Sequence, residues 1–372
     1  MSCSIGFAHV EQEEGLLSPL LLRKKAHSNP KAADKYLYHT KRFQTLSLLG
    51  LGEEGEMENI SGVPPFLLTG IPGLESSHSW LAGLRCVMYA LALGANTVIL
   101  RAVQVESNLH EPMYYFLSML SFSDVAMSMA TLPTVLRTFC LNAHNIAFDA
   151  CLIQMFLIHS FSMIQSGILL AMSFDRHVAS CDPLHYATVL TNGVSAGIGI
   201  AVTARSFITL FPLPFFFKRL PICRSNVLSH SYCLHPDMIK LACADITINS
   251  IYGLFVLVST FGMDLFLIFL SYVLILHSVM AIASRKERLK ALNTRVSHTL
   301  VVLAFYVPMI GISVVHRFGK HAPHYRHVLM SNVYLFVPPV LNPLVYSAKT
   351  KEIAQPLSVC FAPSKCDFHI CF

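Results

Sequence analysis

The chain has 372 residues, 54% of them hydrophobic and only 13% charged, and its mean hydropathy is +0.55. Soluble domains carry about 25% charged residues, so a water-soluble globular architecture is excluded. The net charge of +6 owes much to Arg23, Lys24, Lys25, Lys31, Lys35, Lys41 and Arg42, which are too scattered for a nucleic-acid footprint, and no nucleic-acid partner is expected.

Residues 1–56 show no signal-peptide pattern, because the apolar run "LLSPLLL" is short and its positive charges follow it. Asn59-Ile60-Ser61 is a glycosylation sequon. Seven apolar segments follow, at 80–103, 113–136, 151–174, 195–217, 251–283, 296–316 and 328–347. Each reaches the roughly 20 residues that span a bilayer, which predicts an all-α bundle of seven transmembrane helices. A long loop (218–250) and a basic segment (284–295) lie between them. No half repeats the other inverted and no segment is split, which counts against a secondary transporter.

Charge does not orient the bundle. With the N-terminus outside, Arg176, Arg285, Lys286, Arg288, Lys290, Arg295, Lys349 and Lys351 lie inside. Arg137, Lys218, Arg219, Arg224, Lys240, Arg317, Lys320 and Arg326 lie outside, so the positive-inside rule is tied. Cysteines break the tie. Cys151 opens the third segment, and Cys223, Cys233 and Cys243 share the long loop on the same side, as an oxidising exterior would favour. The sequon falls on that face too, so the N-terminus is expected outside.

From Cys151 to Asp175 the helical rise is roughly 36 Å, one complete span. Asp175-Arg176 therefore lies at the inner water boundary, either as an interfacial anchor or as a pair poised for a partner. Asp124 is an acid in mid-span and needs a polar partner. Asn342-Pro343 with Tyr346 is either a kinked helix with a satisfied amide or a hinge with two packings. No HExxH, paired membrane aspartates, Gly-rich phosphate loop or Cys/His metal spacing occurs. No enzyme activity, cofactor or metal is expected, and Met-rich stretches read as core packing.

Seven spans, a third-span cysteine facing a loop cysteine, inner Asp-Arg and Asn-Pro-x-x-Tyr together resemble rhodopsin-like G-protein-coupled receptors. "LHEPMYYFLSMLSFSD" (109–124), "MSFDRHVASC" (172–181), Ser271-Tyr272, "KALNTRVSH" (290–298) and "PPVLNPLVYSAKTK" (338–351) are similar to the signature set of vertebrate olfactory receptors. "FLLTGIPGLE" (66–75), "FKRLPIC" (217–223) and "SVVHRFGKH" (313–321) resemble the fish-like, class I subgroup.

The resemblance implies a multi-pass plasma-membrane receptor for a small odorant, acting through a heterotrimeric G protein of the stimulatory olfactory type. It implies bridges Cys151–Cys233 and Cys223–Cys243, and a glycan on Asn59. Coupling would fall to Asp175, Arg176, His177, Tyr272 and Arg295, and switching to Asp124, Gln165, Asn342, Pro343 and Tyr346. The receptor domain would be 57–353, with "MENISG" resembling the family's start, 1–56 an extension and 354–372 a diverged tail. His177 stands where the family has Tyr, Ser180 for Ile, Arg295 for Cys, Ala95 for Gly and Gln165 for Glu. These departures leave open a weakly coupled or non-signalling relative; a channel or transporter is the remaining rival.

Segment 328–347 has no lysine for a retinal Schiff base, and 151–165 has no acid for an amine. His159, about 12 Å below Cys151 by helical rise, and Arg317 could instead donate to an anion. An interhelical hydrogen bond for His159 and an exposed loop charge for Arg317 stand as the plainer readings. In similar fish-like receptors the matching His and Arg hold small carboxylic acids, while a further Gln contact is replaced here by Pro236. Ser313 could add a hydroxyl, and Phe156, Leu210, Gly253 and Leu257 are the expected apolar lining.

Overall fold

The computed structural model describes residues 65–68, 78–141, 143–182, 185–222, 226–228, 230–281, 284–318, 324–347 and 353–355. The extension 1–56, Asn59, Cys223 and tail residues 356–372 lie outside the described residues. Seven membrane-length apolar stretches of 20 to 34 residues form one bundle. Spans one to three are His78–Val105, Pro112–Cys140 and Phe148–Cys181. Span four is Asn192–Leu210 continued by Pro212–Lys218. Span five runs from Thr247–Val256 through a π turn at Leu257–Gly262 to Met263–Met280. Spans six and seven are Arg285–Phe318 and His324–Ser347.

Local chemistry sets several of these ends. Pro112 opens span two, where its missing N–H costs nothing, and Thr191 caps span four by accepting from Val194 N at 3.3 Å. The basic segment 284–295, placed between spans by the sequence, is helical from Arg285 and lengthens span six. Its Lys, Arg, Glu, Leu and Ala residues are good helix formers, and beyond the bilayer a helix can carry charge.

Span three is the axis of the bundle. Of its membrane-length window 72% is buried, against 22% for spans four and five, whose Ile200, Ile208, Phe255, Phe266 and Phe269 face outward to lipid. Gly167 permits a close approach of span four, since a Cβ there would lie 2.6 Å from Val202 Cγ1 and 3.1 Å from Arg205 Nη2. In span seven, Pro343 cannot donate to the Pro339 carbonyl one turn earlier. Asn96 of span one does so instead, at 2.8 Å.

One feature departs from a purely helical expectation. Phe66–Leu68 (β1) pairs antiparallel with Asn145–Ile146 (β2) and parallel with Val227–Leu228 (β3). This small sheet joins the segment before span one to the two loops flanking spans three and four, on the side where Cys151 is bonded to Cys233. The stretch preceding span one therefore lies on the disulfide side of the bundle.

Candidate functional site

A cavity of about 540 Å3 opens beneath the long loop. Span three contributes His159, span four Leu210, span five Gly253 and Leu257, and span six Ser313 and Arg317. The loop supplies its roof through His235, Pro236 and Lys240. The roof is anchored by the Cys151–Cys233 bridge and by Gln154, whose Oε1 accepts from Cys233 N at 2.9 Å. Gln154 also donates to Ala130 O and Thr134 Oγ1 across to span two.

The cavity wall is apolar with basic points and, among the described residues, no carboxylate. Nε2 of His159 is buried and has no hydrogen-bond partner among the described residues. His235 packs on Gly253, where a Cβ would come 3.2 Å from its ring. Burial, reinforced by nearby His159 and Arg317, pushes the His235 imidazole down to about 3, so it is neutral. Ser313 donates to Met309 O of its own helix at 2.8 Å. Phe156 does not line the cavity: its ring packs on Phe207 of span four, centroids 5.7 Å apart. Helical rise gives a residue's depth, whereas the packing of span four decides which way Phe156 faces.

Below the cavity lie two polar clusters, each built on a buried aspartate. Asp124 accepts from Gln165 Nε2 at 2.7 Å and from Asn342 Nδ2 at 2.8 Å, joining spans two, three and seven next to Pro343. The second was not anticipated. Arg205 of span four grips Asp264 of span five bidentately, at 2.8 and 2.7 Å. Ser166 of span three donates to Asp264 at 2.8 Å and meets the Tyr306 hydroxyl of span six at 2.7 Å. Two opposite charges in mid-span were the available signal, because a lone one would be costly.

This architecture, a seven-helix bundle with a ligand-sized outer cavity, matches known proteins. The family model described as "Olfactory receptor" matches residues 85–362. The chain belongs to the olfactory receptor family. It is 82% identical to human olfactory receptor 51I2 over 297 residues, covering 80% of this chain and 95% of that one. Identity to human olfactory receptor 51I1 is 57% over 288 residues, covering 77% and 92%. The crystal structure of squid rhodopsin superposes with a TM-score of 0.63 at 16% identity, over 78% of this chain and 86% of that one, which shows the fold. The protein is thus a multi-pass plasma-membrane odorant receptor of the class I type, working through a G protein, and not an enzyme.

At the receptor's inner end, Arg176 pairs with Asp175, Nε and Nη2 standing 2.9 and 2.6 Å from Oδ2. Tyr186 donates to the other carboxylate oxygen at 2.8 Å. Arg295 of span six donates to the Ser180 hydroxyl of span three. Two positions that depart from the family's pattern thus meet each other. His177 lies beside the Cys181 thiol at 3.5 Å, Tyr272 meets His298, and Tyr346 points its hydroxyl at Met172 sulfur, 3.8 Å away. Cys243 is disulfide-bonded, while Cys223 lies outside the described residues.

Proposed function

We propose that the receptor binds a small aliphatic carboxylic acid in the outer cavity and activates a stimulatory heterotrimeric G protein. The observation that carries this is Nε2 of His159, which has no hydrogen-bond partner among the described residues and is buried in a cavity that Arg317 also lines and to which no described acid contributes. A carboxylate would accept from the His159 ring and from the Arg317 fork. An alkyl tail would lie against Leu210, Leu257 and the Gly253 backbone. Because the two basic groups sit on spans three and six, an anion held by both favours one arrangement of those spans, and differential affinity of this kind is what shifts a receptor's populations.

The inner contacts support a resting state. Opening span six requires Arg295 to leave Ser180, and Arg176 then becomes free to turn from Asp175 toward the G protein. Asp124 with Gln165 and Asn342, beside Pro343, is the switch that Tyr346 follows. The added Arg295 contact also favours reduced coupling relative to family members with Cys at that position.

The experiment is a dose–response series in cells displaying the receptor, read as cyclic AMP, with aliphatic acids, their methyl esters and the matching alcohols. Acids should activate at concentrations at least about tenfold lower, since one charge-assisted hydrogen bond contributes about 1.5–3 kcal/mol. Equal potency of esters and alcohols would sink the anion reading while leaving odorant reception intact.

A further inference from the structure

At the outer rim of the cavity, His230, Asp237 and His316 bring three donor atoms within 4.8 Å of one another. His230 and Asp237 belong to the long loop and His316 to the last turn of span six, so the group bridges loop and span. Nδ1 of His230 stands 2.8 Å from Asp237 Oδ2, and Nδ1 of His316 stands 3.4 Å from Oδ1. All three side chains are nine-tenths buried or more, at 2%, 10% and 3% exposed. His230 and Asp237 stand at ion-pair distance, yet neither ring nitrogen of His230 makes a hydrogen bond with the described residues. A ring nitrogen and a carboxylate oxygen are thus buried side by side without a hydrogen bond, which is costly.

A cation already attends this group. The Lys240 ammonium lies 3.3 Å from Asp237 Oδ1 and 3.0 Å from His316 Nδ1. An ammonium only donates, so His316 presents a lone pair at Nδ1, the form that ligates a metal. The Lys240 side chain is half exposed and can swing into water.

We propose that His230, Asp237 and His316 form a site for a zinc-type divalent ion, which takes the place of the Lys240 ammonium. Two imidazoles and one carboxylate suit zinc, whose bonds of about 2.0–2.2 Å place tetrahedral donors roughly 3.3 Å apart. The separations of 2.8 Å to Oδ2 and 3.4 Å to Oδ1, one to each carboxylate oxygen, lie near that spacing. Three ligands leave a fourth position, and because His316 and Lys240 both line the cavity, that position faces the odorant chamber. The ion would tie the loop to the outer end of span six. The site stands independently of the carboxylate reading, since it uses neither His159 nor Arg317. It escapes a sequence search because residues 230, 237 and 316 have no metal-motif spacing and come together only when the loop folds under its disulfide.

The test uses the full-length receptor in nanodiscs, titrated with Co2+ and then competed with Zn2+. A tetrahedral cobalt spectrum without a thiolate charge-transfer band is expected, which separates this site from Cys360, Cys366 and Cys371 of the tail. His230→Gln and His316→Gln should each weaken zinc at least about tenfold, a loss typical even of outer-shell partners. Lys240→Met, on a half-exposed side chain that leaves folding intact, should tighten zinc about threefold by removing a competing charge. Zinc affinity unchanged by both histidine variants, a spectrum of thiolate character alone, or no tightening in Lys240→Met would each overturn the proposal.

Discussion

The seam between spans three and six differs sharply at its two ends. At the outer end His159 has an unpartnered nitrogen and Arg317 lines the same open cavity. At the inner end Arg295 is bonded to Ser180, and Arg176 to Asp175. Midway, Ser166 and Tyr306 join the same two spans and rest on the Arg205–Asp264 pair. On the proposed reading, a histidine nitrogen without a partner outside and bonded arginines inside describe a receptor that is closed toward the G protein and awaits a ligand. The midpoint contact joins the two spans between those ends, and on the proposed reading it is the pivot.

The largest effect should come from breaking that pivot. Asp264→Ala leaves Arg205 charged and uncompensated inside the bundle, a loss of about 3–5 kcal/mol. Surface labelling should fall to near background; near-normal display and signalling would remove the pair from the account. Next is the outer end. Arg317→Ala should raise the half-maximal concentration of an acid agonist about tenfold or more, with Arg317→Lys recovering part, since Lys lacks the planar fork. If the methyl ester loses potency equally, Arg317 serves the cavity's shape and not an anion.

Smaller effects are expected inside. Arg295→Cys removes one charge-assisted bond of about 1.5–3 kcal/mol, part of which solvent screening offsets at this half-buried site. Maximal cyclic AMP at saturating ligand should rise severalfold at matched surface expression, and an unchanged maximum would show that Ser180–Arg295 is no latch. Smallest is Tyr186→Phe, which deletes one bond to Asp175 worth about 1 kcal/mol. Basal signalling should rise by up to about fivefold, and a fall would mean that Tyr186 supports the active state instead.

Much of this frame was readable before the structure. Blocks of apolar residues set seven spans, and cysteine placement oriented them when charge did not. What escaped has identifiable causes. Strands of two or three residues carry too little alternation to be seen, and the π turn at Leu257–Gly262 sits in a uniformly apolar run with no periodicity to mark it. Arg205 and Asp264 were visible as mid-span charges, but nothing in one dimension says that they face each other. Phe156 was placed at the right depth and on the wrong side, since rotation about a helix axis is set by neighbours. Ser180 and Arg295 read as separate departures until span six brought them together.

The anion clamp is tested most directly by a double-mutant cycle on His159 and Arg317, comparing an aliphatic acid with its methyl ester. The potencies of wild type, His159→Ala, Arg317→Ala and the double variant should give a coupling energy of at least about 0.5 kcal/mol for the acid, because one carboxylate engages both groups. For the ester, no coupling is expected. Additive losses for the acid, or equal coupling for both ligands, would contradict the clamp and return His159 to a residue of the helix packing.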